Sequence, residues 1–574
     1  MIMEYYLRAE GVNLGNFVYD TGDLATIRGG SLLLLDAMDI VAEEIEKKIP
    51  PPDPQIIDDQ IDRIRNKIIA VKHDKTLSKK EIEIEKKKFR EEMKNLKKGK
   101  KSGQAYRTTL TKGASWGLFK FQAQPEQAQA VLTAVKKRFA DDPQYRHACF
   151  VVNIYSPGPD RADEAYVLSR AKAQTLNRFE QLVEPSFSLS VEGEGICFFD
   201  KVRPADSPDF VPGEKDRVYI SESVNVRRRY GKAVKKEPAI FYKTRTLGTE
   251  FSNLSMTIDL EQLSRCSTGL DYSHLNHKVA FIYIDGNEFG KKQQQCSSPE
   301  EQWMFDTQSR EGREKMLRDL LLEITGDVTD ESWFLDGDLR LETLLWGGDE
   351  IIWVVPAWQG WWMMKKFYQL AQEYIYLNKP DSQTEPLYHG ASLVFCKHKA
   401  PIQTIDTLAR TLADRFAKKS HLKTRNMFAY QVLESFDHAG TDIARYRQML
   451  IRDLAEKDED LLIEAKDMED IEQSILGLKQ LDFPRRKIYQ IVNCYRRKDP
   501  DAADQLIQKL FHESTADSAE EKKHKQDIKT LLENVKRVFS GSPVFWLHLM
   551  ELWDYVGLEK SAAEQNEGDL SCKK

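Results

Sequence analysis

Two stretches decide how this chain is read: Ile282-Tyr-Ile-Asp-Gly-Asn-Glu-Phe-Gly290 and Leu345-Trp-Gly-Gly-Asp-Glu-Ile351. The first is an apolar run that ends on a carboxylate. The second is a pair of glycines and a pair of carboxylates between two apolar runs. That pattern predicts a strand ending at Asp285 and a hairpin turning through Gly347, Gly348, Asp349 and Glu350. Neighbouring strands lie roughly 5 Å apart, so Asp285 is expected to face Asp349 and Glu350 across a small gap. Three carboxylates so placed suit a hard cation, Mg2+ or Mn2+, and cations so held are what phosphoryl transfer from a triphosphate needs. Gly286 is expected to turn the chain beside the metal. Gly347 and Gly348 are expected to take positive φ and to leave room for a base or ribose. Lys418 and Lys419 end a later helix, where an ammonium could reach the triphosphate.

Working outward, strand Val279–Ile284 is followed by a helix near 300–324, strands Leu339–Trp346 and Ile351–Val355, and a helix to about Tyr376. Strand Leu387–Phe395, helix Ile402–Lys419 and strand Met427–Leu433 close the unit. Ile402, Ile405, Leu408, Ala409, Leu412 and Phe416 trace one apolar face of that last helix. A second, earlier unit reads as strand Tyr5–Val12, a helix from about Thr21 to Glu44, strand Ala114–Phe121, helix Pro125–Phe139 and strand His147–Tyr155, with room for one more strand. Both orders suit a ferredoxin-like split βαβ unit. The expected fold is therefore α+β with two ferredoxin-like palms, assigned to 1–160 (degenerate) and 271–440 (nucleotide-binding). A Lys-rich helical insertion at about 50–105 interrupts the first. A helix is expected at Ala165–Val183, within an irregular connecting module over 161–270. A helical bundle is expected over 441–574, with Ile475, Leu478, Leu481, Ile488 and Ile491 facing inward.

The length of 574 residues implies several domains, and 41% hydrophobic and 10% aromatic residues suffice for packed cores. A net charge of −6 excludes a uniformly basic surface, though local basic stretches remain at Lys86–Lys101 and Arg227–Lys236. No window is apolar over the roughly 18 residues a membrane span needs, and no signal peptide is evident, so a cytoplasmic protein with no membrane partner is expected. The seven cysteines are scattered without a Cys-x-x-Cys pair, which suits reduced thiols.

The paired motifs are similar to those of the GGDEF diguanylate cyclases and resemble more closely the catalytic subunit of type III CRISPR effector complexes. In that family a second palm, with an Asp-Gly-Asp-Asn-Met-Gly-like motif and Gly-Gly-Asp-Asp, makes cyclic oligoadenylates. Here Asp285-Gly286-Asn287-Glu288-Phe289-Gly290 looks like the first motif, Gly347-Gly348-Asp349-Glu350 like the second, and Ala417-Lys418 like the family's phosphate-contacting Ala-Lys. The resemblance implies that Asp285, Asp349 and Glu350 are catalytic and metal-binding. It also implies that Gly286, Asn287, Phe289, Gly347, Gly348, Ser392 and Lys418 line the nucleotide. Departures are as informative. Ile351 stands where the diguanylate cyclases have Phe, and Gly390-Ala391-Ser392 replaces the family's Ser-Ala-Gly. Cys197-Phe-Phe-Asp-Lys-Val-Arg-Pro-Ala205 and Arg227-Arg-Arg-Tyr-Gly-Lys232 look like remnants of the family's zinc module, with Asp200 where a second ligand would stand, so zinc is not expected. No His-Asp nuclease domain precedes the first palm, so cleavage of single-stranded DNA is not expected.

Three functions follow. The leading one is a metal-dependent nucleotidyltransferase or cyclase that makes an oligonucleotide signal from ATP or another nucleoside triphosphate in antiviral defence. RNA and other subunits of a type III-like complex would be its partners. A diguanylate-cyclase-like enzyme is the nearest rival, against which stand the two palms and the lack of an Arg-x-x-Asp motif before Gly347. The rival of another class is a non-catalytic RNA-binding scaffold whose palm holds nucleotide as a structural or sensory ligand.

Overall fold

The computed structural model describes residues 3–49 and 107–557, together with single helical residues between 61 and 93. Outside the described residues lie 158–164, 181–194, 206, 212–215, 247–250, 252, 267–269, 271, 379–383, 435–442, 452–453, 455–457 and 513–517. The Lys-rich insertion at about 50–105, with the basic stretch Lys86–Lys101, thus lies almost wholly outside them. The chain divides into two compact units. One comprises Met1–Thr21, Gly29–Arg228 and Lys291–Thr307, the other Gly22–Arg28, Arg229–Gly290 and Gln308–Lys574.

The first unit holds a four-stranded antiparallel sheet of β1 (Met3–Val12), β2 (Arg107–Lys112), β3 (Trp116–Ala123) and β4 (Cys149–Tyr155), in the order β2-β3-β1-β4. β2 is the strand for which the sequence left room. Helix Pro125–Asp141 starts on a capping box from Gln124 and Gln127 and buries Ala128, Val131, Val135 and Phe139, a clean 3.6-residue stripe. The single helix expected from Thr21 to Glu44 is instead two, Leu24–Leu33 and Ala37–Lys48, separated by a 3-10 turn at Leu34–Asp36.

The second unit is built on a six-stranded sheet. Its strands are β5 (Lys278–Gly286), β6 (Glu342–Trp346), β7 (Glu350–Pro356), β8 (His389–Lys397), β9 (Met427–Val432) and β10 (Leu462–Glu464), in the order β6-β7-β5-β8-β9-β10. Only β8 and β9 run parallel; the other neighbours are antiparallel. The first four strands repeat the order of the first sheet, with β5 in the place of β1. β5 is covered on both faces, which is why Val279 to Ile284 read as an unbroken apolar run. Val279, Phe281 and Tyr283 share a core with Ile405, Leu408, Ala409 and Leu412 of helix Ile402–Leu412. On the other face Trp353 meets Phe367 of helix Gly360–Tyr374.

Two further expectations need correction. Residues beyond 440 are not helical throughout: Leu462–Glu464 pairs with β9 as a sixth strand before helices Met468–Gln480 and Arg485–Arg496 begin. Nor is 161–270 wholly irregular after Ala165–Glu180, because helices Glu222–Lys236 and Ala239–Thr246 lie within it. The first of these buries Arg227, whose guanidinium donates to both carboxylate oxygens of Asp20 at 2.8 Å. Asp200 accepts from the backbone N–H groups of Val202 and Arg203 at 2.9 Å and from Ser221 Oγ at 3.0 Å. Its carboxylate thus ties the turn through Val202 and Arg203 to Ser221.

Candidate functional site

Alternation along β5 puts Tyr283 and Asp285 on one face, and register fixes their neighbours. Asp285 pairs with Glu350 of β7 on one side and with Gly390 of β8 on the other. The hairpin closes through Gly347 N–H to Glu350 O at 2.7 Å, and Gly286 N–H donates to the carbonyl of Asp349 at 3.1 Å. That second bond ties the hairpin to the strand end and sets Asp349 beside Asp285. Lys418 reaches the same point from a π turn, Ala413–Ala417, that extends helix Ile402–Leu412, and its ammonium pairs with Asp285 Oδ2. A Cβ on Gly390 would stand 2.3 Å from Lys418 Cγ, so only glycine lets the lysine stem cross β8 here.

The carboxylates are held at a cost. Burial, then repulsion from Asp349, pushes Asp285 up to about 7, although Lys418 opposes the shift. Burial, then Glu350, raises Asp349 as well. Hard oxygen donors whose charges repel one another are the chemistry a divalent cation relieves. Among the described residues no group of three or more His, Cys, Asp or Glu side chains is arranged as a metal cage. Mg2+ characteristically binds through one or two carboxylates plus substrate phosphates rather than a closed protein cage. Asp285 and Asp349 fit that donor set. Glu350 turns elsewhere: its Oε1 accepts from Tyr283 Oη at 2.9 Å and from Arg410 Nη1 at 3.3 Å.

The expected nucleotide-lining residues divide. Gly348 borders open space, with nothing within 4 Å of where a Cβ would stand. Neither Gly347 nor Gly348 has positive φ, contrary to expectation; the left-handed residue of the site is Glu288, at φ 60°. Gly286 is required for close approach rather than for a turn, since a Cβ there would come within 2.4 Å of the Phe289 ring and 2.9 Å of Asp349 Cβ. Phe289 is buried over it. Asn287 is buried too, bracing the loop after the π turn through the carbonyls of Lys423 at 3.2 Å and Arg425 at 3.3 Å. Ser392 does not line open space as expected: it is fully buried, on the sheet face that packs against helix Ile402–Leu412.

Four residues escaped the sequence. Tyr283 had a signal, lying two positions before Asp285 and hence on its face. Arg410 had none, because its reach depends on the register of a helix over a sheet. Arg313, on helix Pro299–Thr325, donates to the carbonyl of Gly347. His389 is buried beside Phe289, and burial, with Arg313 and Lys418 nearby, pushes it down to about 3, so it stays neutral.

Asp285 yields a prediction of sign. Its folded-state value of about 7 lies above the ordinary 3.8, so the fold binds more protons than the unfolded chain between those limits. Stability is therefore lost as pH rises through that window. In EDTA, the Asp285→Asn protein should gain thermal stability relative to the natural one as pH rises from about 4 to about 7, and the gap should then level off. Melting curves of the two proteins across that range check this; a gap independent of pH would contradict it.

No protein-family model matches the chain, and no curated protein matches it. Solved structures to which the chain is similar include the Csm1–Csm4 cassette in complex with cA4, at a TM-score of 0.49 and 12% identity over 96% of this chain and 70% of that one. Csm1 of T. onnurineus gives a TM-score of 0.47 at 12% identity, over 96% of this chain and 70% of that one. The type III-B Cmr-beta apo structure gives a TM-score of 0.41 at 9% identity, over 94% of this chain and 82% of that one. Likeness at that level bears on no residue of the site, whose chemistry rests on its own geometry.

Proposed function

We propose that residues 278–432 form a palm that binds ATP or another nucleoside triphosphate and catalyses nucleotidyl transfer, making a cyclic or linear oligonucleotide signal in CRISPR-type antiviral defence. The observation that carries this reading is the convergence on one strand end of Asp285, Asp349 and the Lys418 ammonium, beside a hairpin that leaves open space at Gly348. Asp285 and Asp349 would hold Mg2+ or Mn2+, with Glu350 next to them. Such a cation, when bound, neutralises the triphosphate and steadies the departing pyrophosphate. Lys418 would leave Asp285 for a phosphate oxygen. A ribose hydroxyl oxygen forms the new bond to the α-phosphorus as the bond to pyrophosphate breaks, and the hydroxyl proton passes to solvent. The protein's part is to position these groups and place charge. The first sheet shares the strand order, but its β2–β3 turn (Gly113, Ala114, Ser115) carries no carboxylate, so we assign it no chemistry.

One observation favours the scaffold reading: Asp285 already spends an oxygen on Lys418. Purified protein incubated with each labelled triphosphate and Mn2+, with and without RNA, separates the alternatives when products are resolved by mass. Oligoadenylate or another phosphodiester product supports the transferase, and a cyclic dinucleotide from GTP supports the diguanylate-cyclase variant. Bound but unchanged nucleotide under all conditions supports the scaffold.

A further inference from the structure

Arg410 lies on the same helix as Lys418, eight positions earlier. In an unbroken α-helix eight residues overshoot two turns by about 80°. The π turn at Ala413–Ala417 takes up about one extra residue, so Lys418 and Arg410 come into phase two turns apart. Each rests on a carboxylate: Lys418 on Asp285, Arg410 Nη1 on Glu350 Oε1 at 3.3 Å, and those two acids are register partners on adjacent strands. The Arg410 guanidinium is aimed by its surroundings. Nε donates to both oxygens of Asp406, at 3.1 and 3.0 Å, and the group lies over the Tyr283 ring 4.6 Å from its centroid. Asp406 is buried while Arg410 and Glu350 keep partial access to solvent. One edge of the guanidinium is thus fixed, and at the other Nη1 donates to Tyr283 Oη at 3.4 Å and to Glu350, a half-exposed acid that an anion could replace. Planar donor pairs of this kind suit phosphate better than a point charge does.

We propose that Arg410 is a second triphosphate-binding side chain of this site, aimed by Asp406 and Tyr283 and resting on Glu350 until phosphate oxygens take that carboxylate's place. The proposal rests on the nucleotide-transfer reading and adds to it a division of labour: Glu350 serves as the resting partner of Arg410.

The test is binding of inorganic tripolyphosphate to the full chain in EDTA, by calorimetry. Arg410→Met should weaken binding about tenfold, as expected for loss of one charge-assisted contact, and Arg410→Lys should recover part of the loss. Glu350→Gln should tighten binding in the natural background, and that gain should shrink several-fold when Arg410→Met is also present. Melting temperatures of each variant separate loss of fold from loss of contact. A Glu350→Gln gain undiminished without Arg410, or binding unaffected by Arg410→Met, would overturn the assignment of Arg410 alone. Failure of the natural protein to bind tripolyphosphate in Mn2+ as well as in EDTA would remove the nucleotide reading with it.

Discussion

Asp349→Ala should remove product formation, by on the order of 10³-fold or more, while the protein stays folded. The substitution keeps what the hairpin uses structurally, namely the Asp349 carbonyl that accepts from Gly286 N–H and the Cβ that faces Gly286. It removes a carboxyl that burial and Glu350 push above the ordinary range, so its loss relieves repulsion among the neighbouring carboxylates. Charge neutralisation at the reacting phosphate is what goes missing. The check pairs a product assay with circular dichroism and thermal melting on the same preparation. Natural-level turnover by a folded Asp349→Ala protein would exclude this carboxylate from the chemistry.

The second large effect concerns stability. Glu342, the first residue of β6, is buried and accepts from Arg28 Nη2 at 2.8 Å and from Lys235 Nζ at 2.6 Å. Burial alone would raise its carboxyl, but Arg28 and Lys235 outweigh burial and hold it below the ordinary carboxylate range. Burial also pushes Lys235 down. Glu342→Ala leaves two buried cations without their common partner, and breaking such an arrangement costs about 3–5 kcal/mol. Denaturant unfolding should show that loss. Replacement by Gln should cost less than Ala, because it keeps the shape and an oxygen for the cations. A loss below about 1 kcal/mol for Ala would mean that the cations find other partners or water.

How far the sequence could be read follows from where its information lies. The strand to Asp285 and the Gly347–Glu350 hairpin were legible because an apolar run bounded by turn residues has few other readings. That both carboxylates meet was an inference from topology; the pairing of Asp285 with Glu350, and the bond from Gly286 to Asp349, are matters of register that no local pattern encodes. The helix Glu222–Lys236 was missed because its buried face carries Arg227 and Arg228, so burial and hydrophobicity part company along it. β10 was missed because three residues make too short a period to register. Ser392 was misplaced because motif similarity fixes a position along the strand but not the depth at which its side chain sits. Lys418 comes into phase with Arg410 through a π turn, and one inserted residue in a helix leaves no mark on composition.

The most direct test of the central claim is a crystal structure of the full chain with Mn2+ and a non-hydrolysable ATP analogue, with manganese located by its anomalous signal. The account predicts manganese held by the carboxylates of Asp285 and Asp349 together with the triphosphate, and Lys418 turned from Asp285 to a phosphate. Nucleotide bound at another surface, or manganese absent from those carboxylates while Lys418 remains on Asp285, would contradict it.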